Sequence, residues 1–163
     1  MKIPCSDIAT SLKADLKKKV SDLKKRGVVP KLTTVLIGTA ADQLSFVAIK
    51  KKVAKEIGVE FEFAHFKKCP SFLEFATQLR ELAYKPSTTG VIIQLPLPSH
   101  LQSDTLYNYI PSVKDLEGHR TKSPHLPPLG LAVISLLKFV ANPHRNKNSI
   151  YPDQVTDKNL FKQ

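Results

Sequence analysis

The feature that most narrows the fold is an amphipathic helix followed by a short apolar run, repeated three times. Residues 6–27 carry Ile8, Leu12, Leu16, Val20 and Leu23 on one face, and Lys17, Lys18, Lys24, Lys25 and Arg26 on the other. That spacing predicts a helix, with Ser6 or Asp7 as its cap and Gly27 as its stop. Residues 32–37 (Leu-Thr-Thr-Val-Leu-Ile) form a β-branched run closed by Gly38, the pattern of a buried strand. A second helix is expected over 42–57, ended by Gly58, and a strand over 59–66. A third helix follows over 70–83, with Pro70 near its first turn, and a third strand over 90–95. Helix and strand in this order ask for a parallel sheet with helices on both faces, joined by right-handed crossovers. The expected fold is therefore an α/β, three-layer α/β/α domain with a small, mostly parallel sheet. In such sheets ligands sit beyond the carboxyl ends of the strands, so loops 38–43, 65–70 and 94–100 matter most. Beyond them, 102–109 is expected to be helical, 111–129 an irregular loop, 130–140 an apolar helix and 142–163 an irregular, mobile tail.

Composition limits the function classes. At 163 residues with 42% hydrophobic content, the chain can bury one core, and residues 1–141 are expected to form a single domain. No apolar run is long enough for a membrane span, and charges break up the first twenty residues where a signal peptide would need an apolar stretch. Two cysteines, Cys5 and Cys69, point to a reducing, cytoplasmic setting and not to a disulfide framework. The five histidines show no metal-ligand spacing, so no metal is expected. The net charge of +11 fits either an anionic partner or a solvated lysine-rich surface. Lys far outnumbers Arg and no aromatic interleaving accompanies it, which argues against nucleic-acid readout.

Three segments carry possible chemistry. On a helical wheel of about 100° per residue, Lys50, Val53 and Ile57 fall within about 40° of Phe46, whereas Lys51, Lys52 and Lys55 fall elsewhere. Lys50 thus interrupts an apolar stripe. A half-buried ammonium loses solvation, its pKa drops, and it can pass protons near neutral pH. The alternative is a lysine that reaches past the core edge to water. Gln94 follows the apolar Val91-Ile92-Ile93 and precedes Leu95-Pro96-Leu97-Pro98, which puts an amide at the carboxyl end of a buried strand. It can face a ligand there or satisfy loop backbone. Asp115 and Glu117 lie close together before Gly118, and one of them could accept hydrogen bonds from an amino-substituted heterocycle. Acidic turns of this kind are also common in loops without a ligand.

Together these segments resemble the bifunctional methylenetetrahydrofolate dehydrogenase/methenyltetrahydrofolate cyclohydrolase family, over about residues 1–140. The family's helix motif has a Tyr four residues before a catalytic Lys, matched here by Phe46 and Lys50, with Gly58 following. Its apolar run ending in Gln-Leu-Pro-Leu-Pro matches residues 90–98. Its Pro-x-Lys-Asp-Val-Asp-Gly loop matches Pro111, Lys114, Asp115, Leu116, Glu117 and Gly118, and a later Pro-x-Gly step matches Pro128 and Gly130. The resemblance implies a tetrahydrofolate derivative as substrate, with Lys50 as the proton-transfer group and Gln94 orienting it. Phe46 would stack on the pterin-like ring, Glu117 would bond its amino edge, and Asp115, Leu95 and Pro96 would complete the substrate site.

Several positions depart from the family pattern. Phe46 lacks the family's hydroxyl, Glu117 is one methylene longer than the family Asp, and Ala41 and Gln43 stand where Pro and Ser are usual. The family's Pro-Cys-Thr-Pro reads here as His125-Leu126-Pro127-Pro128. The family also uses NADP, held by a dinucleotide-binding domain. The residues after Val140 form no Gly-rich phosphate turn, so this chain is expected to bind no NADP. It is expected to retain at most the cyclohydrolase step unless a separate dinucleotide-binding chain or a homo-oligomer completes it. The competing readings are a non-catalytic remnant that binds folate or a partner subunit, and a basic nucleic-acid binder.

Overall fold

The computed structural model describes residues 3–141; the expected tail over 142–163 lies outside the described residues. The element order is α1 (Cys5–Lys25), β1 (Lys31–Ile37), α2 (Ala41–Ile57), β2 (Glu60–Phe66), α3 (Phe72–Tyr84), β3 (Gly90–Ile93) and α4 (Pro128–Ala141). Three 3-10 turns, Ser99–Leu101, Asp104–Tyr109 and Ser112–Lys114, lie between β3 and α4. The sheet is parallel in the order β2-β1-β3, so β1 is central.

Alternation along β1 divides the core in two. Val35 and Ile37 face α3 and pack with Phe75, Leu79, Val91 and Ile93. Successive side chains of a strand point to opposite faces, so Leu36 points the other way, toward the layer of α1 and α2, where Ile8, Val20, Val47 and Ala54 are buried. Each large side chain buried this way contributes about 1.5–3 kcal/mol before entropy is charged. The expected α/β/α layering is therefore present. β2 is an edge strand, which leaves Phe63 partly exposed, stacked on His65 at 5.1 Å.

Several boundaries differ from the sequence reading, each for a local reason. Neither Ser6 nor Asp7 caps α1. The helix starts at Cys5 with Pro4 at the cap position, and Asp7 sits in the first turn, where a carboxylate favours the helix dipole. α3 starts at Phe72 because Ser71 and Glu74 form a reciprocal capping box, with Pro70 left outside. β3 ends at Ile93: Gln94 N–H still reaches Val35 O at 2.8 Å, but Pro96 has no donor and the strand cannot continue. Residues 102–109 hold a 3-10 turn in place of an α-helix, opened by Ser103, whose hydroxyl accepts from Thr105 N–H. The segment after β3 is irregular yet anchored, since Leu97, Leu101, Leu106 and Ile110 are all buried in the α3-side core.

The stripe of α2 also turns. Its buried residues are Gln43, Val47 and Ala54, a face rotated by about 70° from the Phe46–Lys50–Val53–Ile57 stripe at about 100° per residue. Lys50, Val53 and Ile57 of that stripe line an open cavity of about 450 Å³ together with Leu32, Gly90 and Leu116, whereas Phe46 stands outside it. α4 is longer than expected at both ends and carries exposed Leu129, Val133 and Leu137. No helix among the described residues is long and apolar enough to cross a membrane.

Gly90 fixes how the loop after β3 returns to the sheet. Asp115 bridges Val91 in parallel, and the Leu116 side chain lies over Gly90, in the space a Cβ would need. Gly90→Ala should therefore push Leu116 off the sheet and cost about 1–3 kcal/mol, read as a lowered thermal midpoint. An unchanged midpoint would show that Leu116 is free to move.

Candidate functional site

Three elements converge at the carboxyl end of the sheet. α2 packs across the sheet and brings Lys50 over the end of β3, where Lys50 Nζ donates to Gln94 Oε1 at 2.9 Å. Gln94 Nε2 in turn donates to Leu95 O at 3.0 Å, which fixes the amide's orientation. Both side chains are partly buried. Burial pushes the Lys50 ammonium below the usual lysine value of 10.5, and the negative charge of Glu117 pulls it partly back up.

Glu117 arrives from a distant part of the chain. The Val91–Asp115 bridge runs parallel, so the chain after Asp115 travels toward the same end of the sheet as Gln94. Glu117 Oε2 is sealed from solvent and has no hydrogen-bond partner; the nearest cation donor is His119 Nε2 at 3.4 Å. A buried carboxylate oxygen without a partner is costly, and sites of this kind are where a ligand or a neighbouring side chain supplies the missing donor.

The other residues singled out from the sequence are placed as follows. Phe46 lies one helical turn before Lys50 and is 58% exposed, so its ring is available to stack on a planar ligand. Leu95 and Pro96 are exposed and line a second cavity of about 350 Å³ with Leu97, Gln102, Ser103, Asp104 and Tyr107. Asp115 is turned inward: it is buried, and its Oδ2 accepts from Arg120 N–H at 2.9 Å. Its carboxylate braces the loop that carries Glu117 and does not face the cleft.

Three further residues contribute to which the sequence reading assigns no role. Gln43 is buried, and its Nε2 donates to Pro96 O at 2.9 Å, tying the start of α2 to the loop after Gln94. The available signal was its place on the same helix face as Val47 and Ala54. Tyr107 and His119 stack at 4.2 Å with an interplanar angle of 23°. Burial, with Glu117, Asp115 and Asp104 nearby, raises the Tyr107 hydroxyl above its usual value. Nothing in the local sequence pairs these two residues.

The site's chemistry suits a planar, hydrogen-bonding ligand, since it offers a stacking ring, a carboxylate and a partly desolvated lysine. The β1–α2 turn has a single glycine, Gly38, and its helix begins at Ala41, with Ala40 at the cap position and no side-chain cap, whereas close approach of a pyrophosphate needs a Gly-rich turn. Among the described residues no group of three or more His, Cys, Asp or Glu is placed to hold a metal ion.

The tetrahydrofolate dehydrogenase/cyclohydrolase catalytic-domain family model matches residues 3–117. Among curated proteins, the bifunctional protein FolD of Brevibacillus brevis is 33% identical over 112 residues, covering 69% of this chain and 39% of that protein. FolD of an Exiguobacterium strain is 32% identical over 124 residues, 76% of this chain and 45% of that protein. Among solved structures, the bifunctional methylenetetrahydrofolate dehydrogenase/cyclohydrolase FolD of Campylobacter jejuni superposes with a TM-score of 0.77 at 28% identity, over 83% of this chain and 52% of that one. The Trypanosoma brucei enzyme, solved with NADP and an inhibitor, shares the fold with a TM-score of 0.75 at 22% identity. The chain thus spans from 39% to 52% of the length of these relatives.

A stability test follows from Lys50. Because burial lowers its folded-state pKa, the ammonium costs stability at every pH below that value. The cost fades as pH rises toward 10.5, where the unfolded chain also releases its proton. Lys50→Met, which keeps the stem and removes the charge, should leave stability at neutral pH unchanged or raise it by up to about 1 kcal/mol. The gap should narrow as the medium becomes alkaline. A marked loss of stability at neutral pH would mean that the charge is favourable to the fold.

Proposed function

The chain belongs to the tetrahydrofolate dehydrogenase/cyclohydrolase family, and from that premise we propose that the described domain binds a tetrahydrofolate derivative and hydrolyses its methenyl form to the formyl form. The observation that carries this reading is the Lys50–Gln94 hydrogen bond, made by a desolvated lysine at the carboxyl end of β3. In the proposed step a water oxygen bonds to the methenyl carbon, and the electrons of its C=N bond move to the ring nitrogen. The water's proton passes to the neutral amine of Lys50. The adduct's C–O group then becomes the formyl C=O as one of its two C–N bonds breaks, the hydroxyl proton leaves to solvent, and the released nitrogen takes back a proton from the Lys50 ammonium. Lowering the pKa of the Lys50 amine raises the fraction able to accept the proton near neutral pH. Gln94 keeps the Nζ atom aimed at the reacting carbon. Phe46 supplies the stacking face and Glu117 the acceptor for the pterin's amino edge.

Hydride transfer needs a nicotinamide held against the same substrate. The described residues do not form such a site, so in this reading that step depends on a dinucleotide-binding domain, in cis or on another chain. The exposed Leu129, Val133 and Leu137 of α4 support a covering domain of that sort. Cys5 and Cys69, both free thiols, fit a reducing cytoplasmic setting.

Purified protein should hydrolyse methenyltetrahydrofolate, followed by loss of the methenyl chromophore above the spontaneous rate. Lys50→Met should abolish that turnover, whereas Lys51→Met, exposed on another side of α2, should leave it nearly unchanged. Equal effects of the two substitutions would overturn the assignment of Lys50.

A further inference from the structure

We propose that His119 is a positioning residue for Glu117: its Nε2, 3.4 Å from the buried carboxylate oxygen, is the donor that closes on that oxygen, so that the other oxygen is presented to the ligand. The inference rests on the folate reading above and names the residue that completes that reading's recognition end. The family model's match runs only to Glu117, so His119 lies outside it.

The geometry has three parts. First, Glu117 Oε2 is closed off from solvent and lacks a hydrogen bond, which makes it inaccessible to an incoming ligand in this arrangement. His119 Nε2 stands 3.4 Å away, a few tenths of an ångström beyond a good N–H to carboxylate bond. Second, the imidazole is held from its face. It stacks on Tyr107 at 4.2 Å and 23°, and Tyr107 belongs to the 3-10 turn anchored by buried Leu106. Third, the loop is braced on both sides of Glu117, by Asp115 accepting from Arg120 N–H and by Arg120 Nη1 donating to Ile110 O at 2.7 Å. Glu117 has one more rotatable bond than an aspartate. A donor fixed by stacking removes that freedom before the ligand arrives and lowers the cost of binding.

The test is binding of a stable reduced pterin, 5-formyltetrahydrofolate, measured by calorimetry for four proteins. Wild type should bind. Glu117→Gln should bind at least tenfold more weakly, about the loss expected for a charge-assisted hydrogen bond. His119→Ala should lose about tenfold in affinity. His119→Gln, which keeps a neutral N–H donor, should restore affinity. If His119→Ala matches wild type in affinity while Glu117→Gln is weakened, the positioning role is wrong and the pterin site stands. If His119→Gln fails to restore affinity although the variant is as thermally stable as wild type, donation to Oε2 is not what His119 supplies. If wild type binds no pterin, the folate reading itself fails.

Discussion

The hydrogen bond from Lys50 to Gln94 joins two layers of the domain, and most of the architecture serves to keep it. α2 is seated by Val47 and Ala54 against the sheet and pinned at its start by Gln43 on Pro96 O. Gln94 is held by the last sheet bond, from its own N–H to Val35 O, and by its amide's bond to Leu95 O. The loop beyond it is irregular in shape but fixed in place, because Leu97, Leu101, Leu106 and Ile110 fill the α3-side core. An amine that must be half out of water, and still point at one spot, needs both the partial burial and this bracing.

A second constraint brings the remote carboxylate in. The Val91–Asp115 bridge adds a short parallel extension to the sheet, and the absence of a Cβ at Gly90 lets Leu116 lie against it. Glu117 then reaches the end of the sheet at which Lys50 and Gln94 meet, and its charge opposes the desolvation of the lysine. The two effects oppose each other: desolvation favours the neutral amine, and the carboxylate favours the ammonium.

Much of this could be read in the sequence, and what could not follows a pattern. The helix–strand alternation was visible because apolar period and glycine stops are local signals. Lys50 stood out because one charged residue on an apolar stripe is an anomaly, and Gln94 because it ends a run of three apolar residues. The true buried face of α2 was missed, since Gln43 is polar and becomes a core residue only through its bond to Pro96 O, a contact between residues far apart in sequence. Asp115 and Glu117 look equivalent in the chain. Only the bridge to Val91 and the bond from Arg120 N–H turn Asp115 inward, while Glu117 comes close enough to Lys50 for its charge to be felt there. The 3-10 turn over Asp104–Tyr109 could be taken for an α-helix because its apolar spacing is short enough to satisfy either period.

The account turns on a lysine whose proton affinity is set by burial and by Glu117 together. Direct titration of the Lys50 side chain by NMR, in wild type and in Glu117→Gln, tests this without recourse to any activity. The Lys50 resonance should titrate below the usual 10.5 in wild type, and lower still once the Glu117 charge is gone. A Lys50 that titrates at or above 10.5, or one that is indifferent to Glu117→Gln, would contradict it.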